Sequence, residues 1–422
     1  MQGTGIQKSA VFTQLELDEA VLLHKRFMEG RVGGRRMILR KADLSGLSLK
    51  DQDLRQADLS GCRMCHMDLS GANFREASLY ACDLSNANLN KSSFVRADLR
   101  GAQIESADLA GADLNAADLR SGAFSTDGTF TQGQNVNFRG ANLSGAKLSG
   151  TLAANADFSD AIMSKIIMEG ADLRGAKFEG ADLTQADLKG AQLAGANMRS
   201  TILTGVKIDD ISKSSIDMTD SITDENVGKS LTEMEVPLAK LIKEHRSWVN
   251  TLGKEGAPLD LSGYDLRVLL SLAGEHLTAL KAIGARWCGM DLTDIELQSA
   301  TLNESDFRSC YLRNGDFRGS SLKHVRFSHA DLRNTDFSPL YFDNTDDRKF
   351  TTSNLDGSNM RYANCSGGKF HLASLRNADL GYTNFSKCDL READFSGANL
   401  SGAIFAGANI EGAIFDGVPP AI

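Results

Sequence analysis

Large aromatic residues and proline are scarce in this sequence of 422 residues, so the usual contents of a globular core and of a linker are both missing. Aromatic residues make up 7% of the chain and proline occurs 5 times, whereas glycine occurs 40 times. These counts exclude a proline-rich linker protein and a collagen-like chain. Small and aliphatic side chains must therefore fill the core of what, by length, is a protein of two or three domains.

Long apolar runs, a secretory leader and an even set of cysteines are also absent. No apolar run approaches the roughly 18 residues that cross a bilayer, and the N-terminal residues lack a basic stretch followed by an apolar one. The 7 cysteines fit a reducing compartment better than a disulfide framework. We therefore expect a cytoplasmic protein with no membrane span.

Strong charge of one sign is missing as well. The formal net charge is −9, from 46 basic and 55 acidic residues, and a chain this mildly acidic is a poor nucleic-acid binder. Direct nucleic-acid binding is therefore not expected, and a partner, whose identity the sequence does not reveal, is expected to be a protein.

A period of five residues is what the sequence contains instead. From Ala42 the chain divides into pentapeptides whose third residue, here called the centre, is large and apolar, from Leu44 to Phe124 without a slip. The residue two positions before each centre is small, as at Ala57 and Cys62. This period fits neither the repeat of a strand nor that of an α-helix, so ordinary sheets and helices are both poor interpretations.

This pattern closely resembles the pentapeptide-repeat family, A-(D/N)-(L/F)-X-X. The resemblance implies a mainly β fold made of right-handed quadrilateral parallel β-helices, in which each pentapeptide forms one side and four form a coil. In such a coil the centre and the small residue point inward, and the other three positions face water. Residues one coil apart stack at a parallel-strand spacing of about 4.8 Å, so Phe74 is expected to lie on Phe94, and Phe317 on Phe337.

The pattern occurs twice, and the two runs are built alike. We predict an N-terminal tail and capping helix at 1–41, a first β-helix at 42–208, a linker with a second capping helix at 209–258, and a second β-helix at 259–422. Each run breaks at a polar loop after its seventeenth pentapeptide, at about 125–135 and 343–349. Residues 267–283 also fit a helix, but small residues recur there and favour the coil. We infer the duplication of a capped β-helix.

Amphipathic segments precede both runs and predict helices that cover the first coils. An uncovered β-helix end exposes unpaired backbone groups, so these helices are expected to cap the N-terminal ends. The C-terminal end has no helix: either Val418, Pro419 and Pro420 blunt it, since proline cannot donate to a ladder, or it meets a partner, including a second copy of the chain. The predicted capping residues are Leu17, Val21, His24 and Phe27 in the first helix, and Leu238, Ile242, His245 and Trp248 in the second.

No catalytic, cofactor or metal motif stands in a suitable structural context, so we expect neither enzymatic activity nor a cofactor. Cys62 and Cys65 form a CxxC, but the repeat places the first inside and the second outside, where they do not converge. Buried cysteines are expected to fill alanine positions, although a disulfide between Cys62 and Cys82, one coil apart, is geometrically conceivable. Three aspartates in the second loop form either a polar turn or a weak cation site: Asp343, Asp346 and Asp347.

Function is therefore sought on the outer surface. The basic stretch at 31–41 either is a solvated connection to the first coil or touches an acidic partner. Apolar residues at water-facing positions indicate contacts, either with the linker helix or the other half of the chain, or with an oligomer or a partner. These residues are Ile162, Ile167, Ile202, Ile404 and Ile414.

The leading hypothesis is a non-enzymatic interaction or scaffold protein that presents rigid β-helical surfaces. The alternative implied by the resemblance is a DNA mimic that modulates DNA gyrase or a topoisomerase, as some pentapeptide-repeat proteins do. A duplex carries one charge per about 1.7 Å, so a rod of about 40 Å would need about 20 negative charges. The two runs carry net charges of only −4 and −5. An enzyme on a β-helix is a third hypothesis, which the short loops disfavour.

Overall fold

A computed structural model describes residues 11–122, 133–207, 215–342 and 349–417, together with the backbone of two short strands between 125 and 130. The chain divides into two compact units, Met1–Asn226 and Val227–Ile422. Each unit contains one α-helix followed by stacked coils. Several residues singled out above lie outside the described residues: Phe124, Asp343, Asp346, Asp347, Val418, Pro419 and Pro420.

Parallel bridges that repeat every 20 residues build the coils. Asp43 bridges Arg63, which bridges Asp83 in turn, and the same pattern recurs on all four sides of the coils. The amide of each centre donates to a carbonyl one coil on, as from Leu44 to Arg63 at 2.8 Å. The chain is therefore mainly β, and each pentapeptide forms one side of a four-sided coil, as the repeat predicts.

The interior of each coil is narrow and is filled by the centres and the small residues. Phe74 and Ala57 are fully buried examples of the two positions. Phe74 stacks on Phe94 with ring centroids 5.1 Å apart, and Phe317 stacks on Phe337 at 5.2 Å. The expected phenylalanine stacks are thus confirmed, and their ring contacts add to the free energy gained by burying apolar surface.

Some small inward positions hold a hydroxyl or a thiol instead of alanine. Thr201 donates from Oγ1 to the carbonyl oxygen of Phe178 at 2.7 Å, and Cys388 donates from Sγ to that of Cys365 at 2.9 Å. A buried polar group without a partner costs free energy. Because a carbonyl of the coil below is within reach at many of these positions, threonine, serine and cysteine can replace alanine inside the coil.

The corners of the coils bend at the residue two positions after the centre. Gly71 has φ +68°, and Gln56 and Asn86 have φ +61° and +59° at the same position. Glycine adopts this left-handed conformation without steric strain, and asparagine tolerates it better than most residues. The corners therefore account for many of the 40 glycines in the chain.

Two α-helices precede the coils. Helix α1 spans Gln14–Met28 and begins with a capping box, in which the side chains of Thr13 and Glu16 each accept from the other residue's backbone amide. Helix α2 spans Leu238–Asn250, with Pro237 at its N-cap position. No helix among the described residues is long and apolar enough to cross a bilayer.

The ambiguous segment at 267–283 is coil for most of its length. Strand β3 (Lys229–Ser230) pairs in parallel with β4 (Tyr264–Asp265), and one turn of 3-10 helix follows at Arg267–Leu269. Parallel bridges then resume at Ser271 and continue along the chain. The coil interpretation is therefore confirmed from that residue onward.

The first run of coils extends past residue 208, where the repeat was predicted to end. Ile202 bridges Ile222, so residues after the undescribed stretch at 208–214 still belong to the coil. Met218 and Thr223 occupy the centre positions of these last pentapeptides. A polar threonine at a centre breaks the apolar pattern, which explains why the sequence alone assigned these residues to a linker.

Antiparallel hairpins interrupt both runs of coils near the predicted loops. In the first unit, β1 (Ser125–Thr126) pairs with β2 (Thr129–Phe130). In the second unit, β5 (Leu340–Phe342) pairs with β6 (Lys349–Thr351). The coil resumes beyond each hairpin, since bridges across the two insertions join residues 34 and 33 apart instead of 20.

The second hairpin corrects two predicted centres. The repeat register places Phe342 and Phe350 inside the coil, but both lie on the hairpin with 46% of their surface exposed. Ser321 bridges Asn354, so the inward position that Phe342 would have filled belongs to Leu355. Cross-strand pairing within the hairpin satisfies the local backbone, and the rings therefore remain outside.

Candidate interaction surfaces

A buried histidine joins each α-helix to the start of the coil that follows it. His24 is fully buried, and its Nδ1 accepts a hydrogen bond from the backbone amide of Met37 at 3.0 Å. His245 is also fully buried, and its Nδ1 accepts from the amide of Leu259 at 3.0 Å. Because Nδ1 accepts, the neutral ring carries its proton on Nε2.

Burial lowers the pKa of both imidazoles, and nearby backbone groups oppose that shift only in part. His24 stacks on Phe27 with ring centroids 6.0 Å apart, and His245 stacks on Trp248 at 5.8 Å. Each ring is thus held between an aromatic side chain and a backbone amide. This geometry requires the neutral imidazole, since protonated Nδ1 could not accept from the amide.

The other predicted capping residues differ in burial. Leu17 is fully buried and Ile242 is buried, whereas Val21 and Leu238 are half-buried. Phe27 is 39% exposed, and Trp248 is half-buried. The inner face of each helix therefore packs on the hydrophobic core of its own unit, and the predicted aromatic residue lies at the edge of that contact.

Two glycines that the sequence analysis missed let the returning chain approach each helix. A Cβ on Gly34 would lie 2.4 Å from the backbone nitrogen of Phe27, and one on Gly256 would lie 2.1 Å from the carbonyl oxygen of Glu244. Both glycines stand three residues before the amide that binds the histidine. The glycine stands at the same distance from that amide in both units, and this equal spacing in the sequence could have identified the two glycines.

Buried cysteines at inward positions donate to backbone carbonyl oxygens of the coil below. The chain's cysteines are free thiols, and Cys62 and Cys82 donate to the carbonyl oxygens of Leu39 at 2.5 Å and Leu59 at 3.0 Å. Burial raises the pKa of both thiols, that of Cys62 to about 11, so they stay protonated. In the part of the chain that the structure describes, no group of three or more His, Cys, Asp or Glu residues could hold a metal ion.

Arginine and aspartate two residues apart pair within single pentapeptides and neutralise the outer faces. In Asp172 and Arg174, for example, Nε and Nη2 of the guanidinium donate to the two carboxylate oxygens at 2.8 and 2.7 Å. Hydrogen bonds from Arg174 hold the pKa of Asp172 below its usual range. The same two-donor pairing occurs at Asp53, Asp98, Asp118, Asp172, Asp265, Asp306, Asp316, Asp331 and Asp389.

Two of the three outward isoleucines of the first unit lie on the same side of the coils. Ile162 bridges Asp182, which bridges Ile202, so the two isoleucines lie two coils apart on one side. Ile162 and Ile167 are half-buried, and Ile202 is only 1% exposed. Ile167 lies on another side, since it bridges Lys147. These residues therefore do not form one continuous apolar surface.

The last coil of the second unit carries apolar side chains that are exposed or only partly buried. Ile404 and Ile414 are 49% and 51% exposed, on different sides of the coil. The centres Leu400, Ile410 and Phe415 are only partly buried there. Among the described residues, their amides have no backbone acceptor, whereas centre amides one coil earlier do. Among the described residues, the end of the coil thus presents apolar side chains together with centre amides that have no backbone acceptor.

Comparison with known proteins adds a family match. A family model described as pentapeptide repeats matches residues 53–90, 82–120, 134–170, 166–205, 300–338 and 378–417, which together make up just over half of the chain. None of the curated proteins matches it.

Three solved structures illustrate the resemblance. QnrB1, a plasmid-mediated fluoroquinolone resistance protein, is 21% identical over 44% of this chain and 91% of its own, with a TM-score of 0.26. A pentapeptide repeat protein of the Arabidopsis thaliana thylakoid lumen is 28% identical over 26% and 66%, with a TM-score of 0.22. HetL, from the cyanobacterium Nostoc sp. strain PCC 7120, is 20% identical over 93% and 96%, with a TM-score of 0.16. These TM-scores are low. The pentapeptide repeat is therefore identified by the family model and by the parallel bridges that recur every 20 residues.

Proposed function

Because the chain belongs to the pentapeptide-repeat family, whose members fold as right-handed β-helices, we propose that it is a non-enzymatic interaction or scaffold protein. It binds protein partners on the flat outer sides of its coils and pairs with a second copy of itself through the last coil. The unidentified protein partner contacts the sides, whereas the second copy covers the C-terminal end.

The observation that carries this proposal is the contrast between the two ends of the second unit. At the start of the coil, α2 buries Ile242 and His245 and binds the first amide through the imidazole. At the other end, Leu400, Ile410 and Phe415 lack an equivalent cover among the described residues. Exposed apolar side chains and unpaired amides both favour association. A second copy presents the same end and so matches it by symmetry.

Self-association is tested by measuring the mass of the full chain by sedimentation equilibrium. The expected result is a dimer that dissociates on dilution, and a monomer for the double variant Ile404→Asp with Ile414→Asp, because buried charges oppose the contact. Tyr311→Ser is the matched control, since Tyr311 is 55% exposed on the same unit but away from the last coil. A wild-type chain that stays monomeric at every concentration would contradict the proposed pairing.

The assignments of individual residues belong to the same proposal. We infer that α1 and α2 are capping helices, with Leu17, Val21, His24 and Phe27 in one and Leu238, Ile242, His245 and Trp248 in the other. We also assign the outward isoleucines at 162, 167, 404 and 414 to contacts; Ile202, which is only 1% exposed, is buried within its own unit and is not assigned. The free thiols support a reducing compartment, and we place the protein in the cytoplasm.

The alternative, a DNA mimic that acts on gyrase, receives less support from the charges. A mimic needs acidic side chains that keep their charge facing outward. Here eight half-buried aspartates at outward positions are paired with an arginine of the same pentapeptide, and a ninth, Asp306, is paired in the same way while fully buried. The outer faces are therefore patterned with both signs, which suits protein partners better.

A further inference from the structure

The segment that runs from the last turn of α1 into the first coil concentrates positive charge in an otherwise acidic chain. Residues 25–41 contain seven basic residues and one acidic residue, whereas the whole chain has a net charge of −9. We call this segment the basic loop. The basic residues are Lys25, Arg26, Arg31, Arg35, Arg36, Arg40 and Lys41.

Only two of these cations have a carboxylate partner among the described residues. Arg31 pairs with Glu29 at 2.8 Å, and Arg40 pairs with Asp58. Arg36 donates from Nε to a backbone carbonyl oxygen, at 2.5 Å, and keeps its charge. All seven side chains are exposed, so most of the positive charge of the basic loop faces solvent.

Exposed aliphatic side chains are interspersed with these cations. Val32, which follows Arg31 directly, is 100% exposed, and Ile38, between Arg36 and Arg40, is 53% exposed. Leu22 on α1 is 51% exposed and lies beside the loop, because the amide of Arg35 donates to the carbonyl of Leu23. An isolated exposed aliphatic residue is ordinary, but here exposed aliphatic residues alternate with exposed cations along one short segment.

The second unit shows that the connection from a capping helix to its first coil does not need these charges. Its corresponding loop has the same buried histidine, the same close glycine and the same amide hydrogen bond. Residues 246–263, which match the basic loop, contain two basic and two acidic residues. The same structural task is therefore performed without net charge, and the charge of the basic loop requires another explanation.

We propose that the basic loop docks the protein on the surface of a bilayer that contains anionic phospholipids. Lysine and arginine near such a surface are attracted to its negative charge, and short apolar side chains enter the headgroup layer. Val32, which is fully exposed, is the residue that enters, and the neighbouring arginines bind the headgroup phosphates. A nucleic acid would bind the arginines but gain nothing from a fully exposed valine, so the mixed segment favours the bilayer.

Vesicle sedimentation with the full chain tests this proposal. The protein should sediment with vesicles of phosphatidylcholine and phosphatidylglycerol but not with phosphatidylcholine alone, and added salt should weaken the binding. The double variant Arg26→Gln with Arg35→Gln should lower the vesicle partition coefficient about fivefold for each lost charge. Val32→Asp should lower it further at unchanged thermal stability, because its side chain touches only solvent.

The second unit supplies the matched control. Lys254→Gln with Leu252→Asp changes a cation and an aliphatic residue that is 90% exposed in the corresponding loop, and should leave vesicle binding unchanged. Equal loss with this control, binding that ignores the lipid charge, or no vesicle binding would overturn the proposal. Binding to a duplex DNA probe that the arginine variant abolishes, without vesicle binding, would assign the basic loop to nucleic acid instead.

Discussion

His24 and His245 illustrate how one buried side chain fixes where a coil begins. Each imidazole accepts from the amide of the first small inward position, which in later pentapeptides donates to the carbonyl oxygen three residues earlier, as from Ala57 to Leu54. A buried amide without an acceptor costs about 1–3 kcal/mol, so the ring replaces the carbonyl acceptor of a missing turn. The close approach of Gly34 and Gly256 to the helices brings these amides within reach.

Acid is expected to destabilise the chain through these two rings. Burial lowers the pKa of both histidines, so the unfolded chain, in which the pKa is about 6.5, takes up the proton first. Their contribution to stability is therefore complete above about pH 6.5 and decreases as the pH falls below that value. The free energy of unfolding, measured with urea, should decrease as the pH is lowered from about 7 to about 5.

The control for this prediction is a pair of variants, His24→Asn and His245→Asn, whose amide oxygen can accept but does not titrate. Each should remove part of the pH dependence in this window. Paired carboxylates such as Asp172 also have a lowered pKa, but their contribution is lost only below about pH 4. A free energy of unfolding that stays constant from about pH 7 to pH 5 would refute the role of the rings.

Among the elements, the coil side and the hairpin differ in how far the sequence predicts them. A side is one pentapeptide, and its inward and outward positions follow from five adjacent residues. The hairpin of β5 and β6 interrupts this rule, because its strands pair with each other and not with the coil. Sequence reasoning extended the coil through Phe342 and Phe350, since both stand in register and have the expected residue type.

Truncating phenylalanines inside and outside the coil should separate these two environments. Phe337→Ala removes a fully buried ring and should lower the free energy of unfolding by about 3–5 kcal/mol. Phe342→Ala, only five residues on, should cost less than about 1 kcal/mol because half of its ring is exposed. Urea unfolding of both variants measures the difference, and equal losses would place Phe342 in the core after all.

At the scale of the whole molecule, charge is distributed over many sides instead of being concentrated on one. The outward positions of the pentapeptides stacked on Asp43 hold eight acidic and four basic side chains, which is the largest acidic excess on a side of the first unit. A DNA mimic of similar length would need about 20 negative charges. The basic loop adds charge of the opposite sign at the start of the same unit.

We therefore expect DNA supercoiling by gyrase to proceed unchanged in the presence of a molar excess of the chain. The measurement is a plasmid supercoiling assay with and without a fluoroquinolone, at low salt, where charge interactions are strongest. Inhibition, or protection from the drug, would restore the DNA-mimic hypothesis. The variant Asp43→Asn with Asp83→Asn, on the most acidic side, would then be expected to weaken that effect.

The sequence by itself determined the coil, because the inward or outward direction of each side chain depends only on its place among five consecutive residues. It also located the two helices and their histidines, since helical spacing is equally local. Tertiary structure decided where residues far apart along the chain meet: the register across the two insertions, the exposure of Phe342 and Phe350, the burial of Ile202 and the amide that each histidine binds. These contacts join segments separated by loops of arbitrary length, and the five-residue repeat does not specify which of these segments pair.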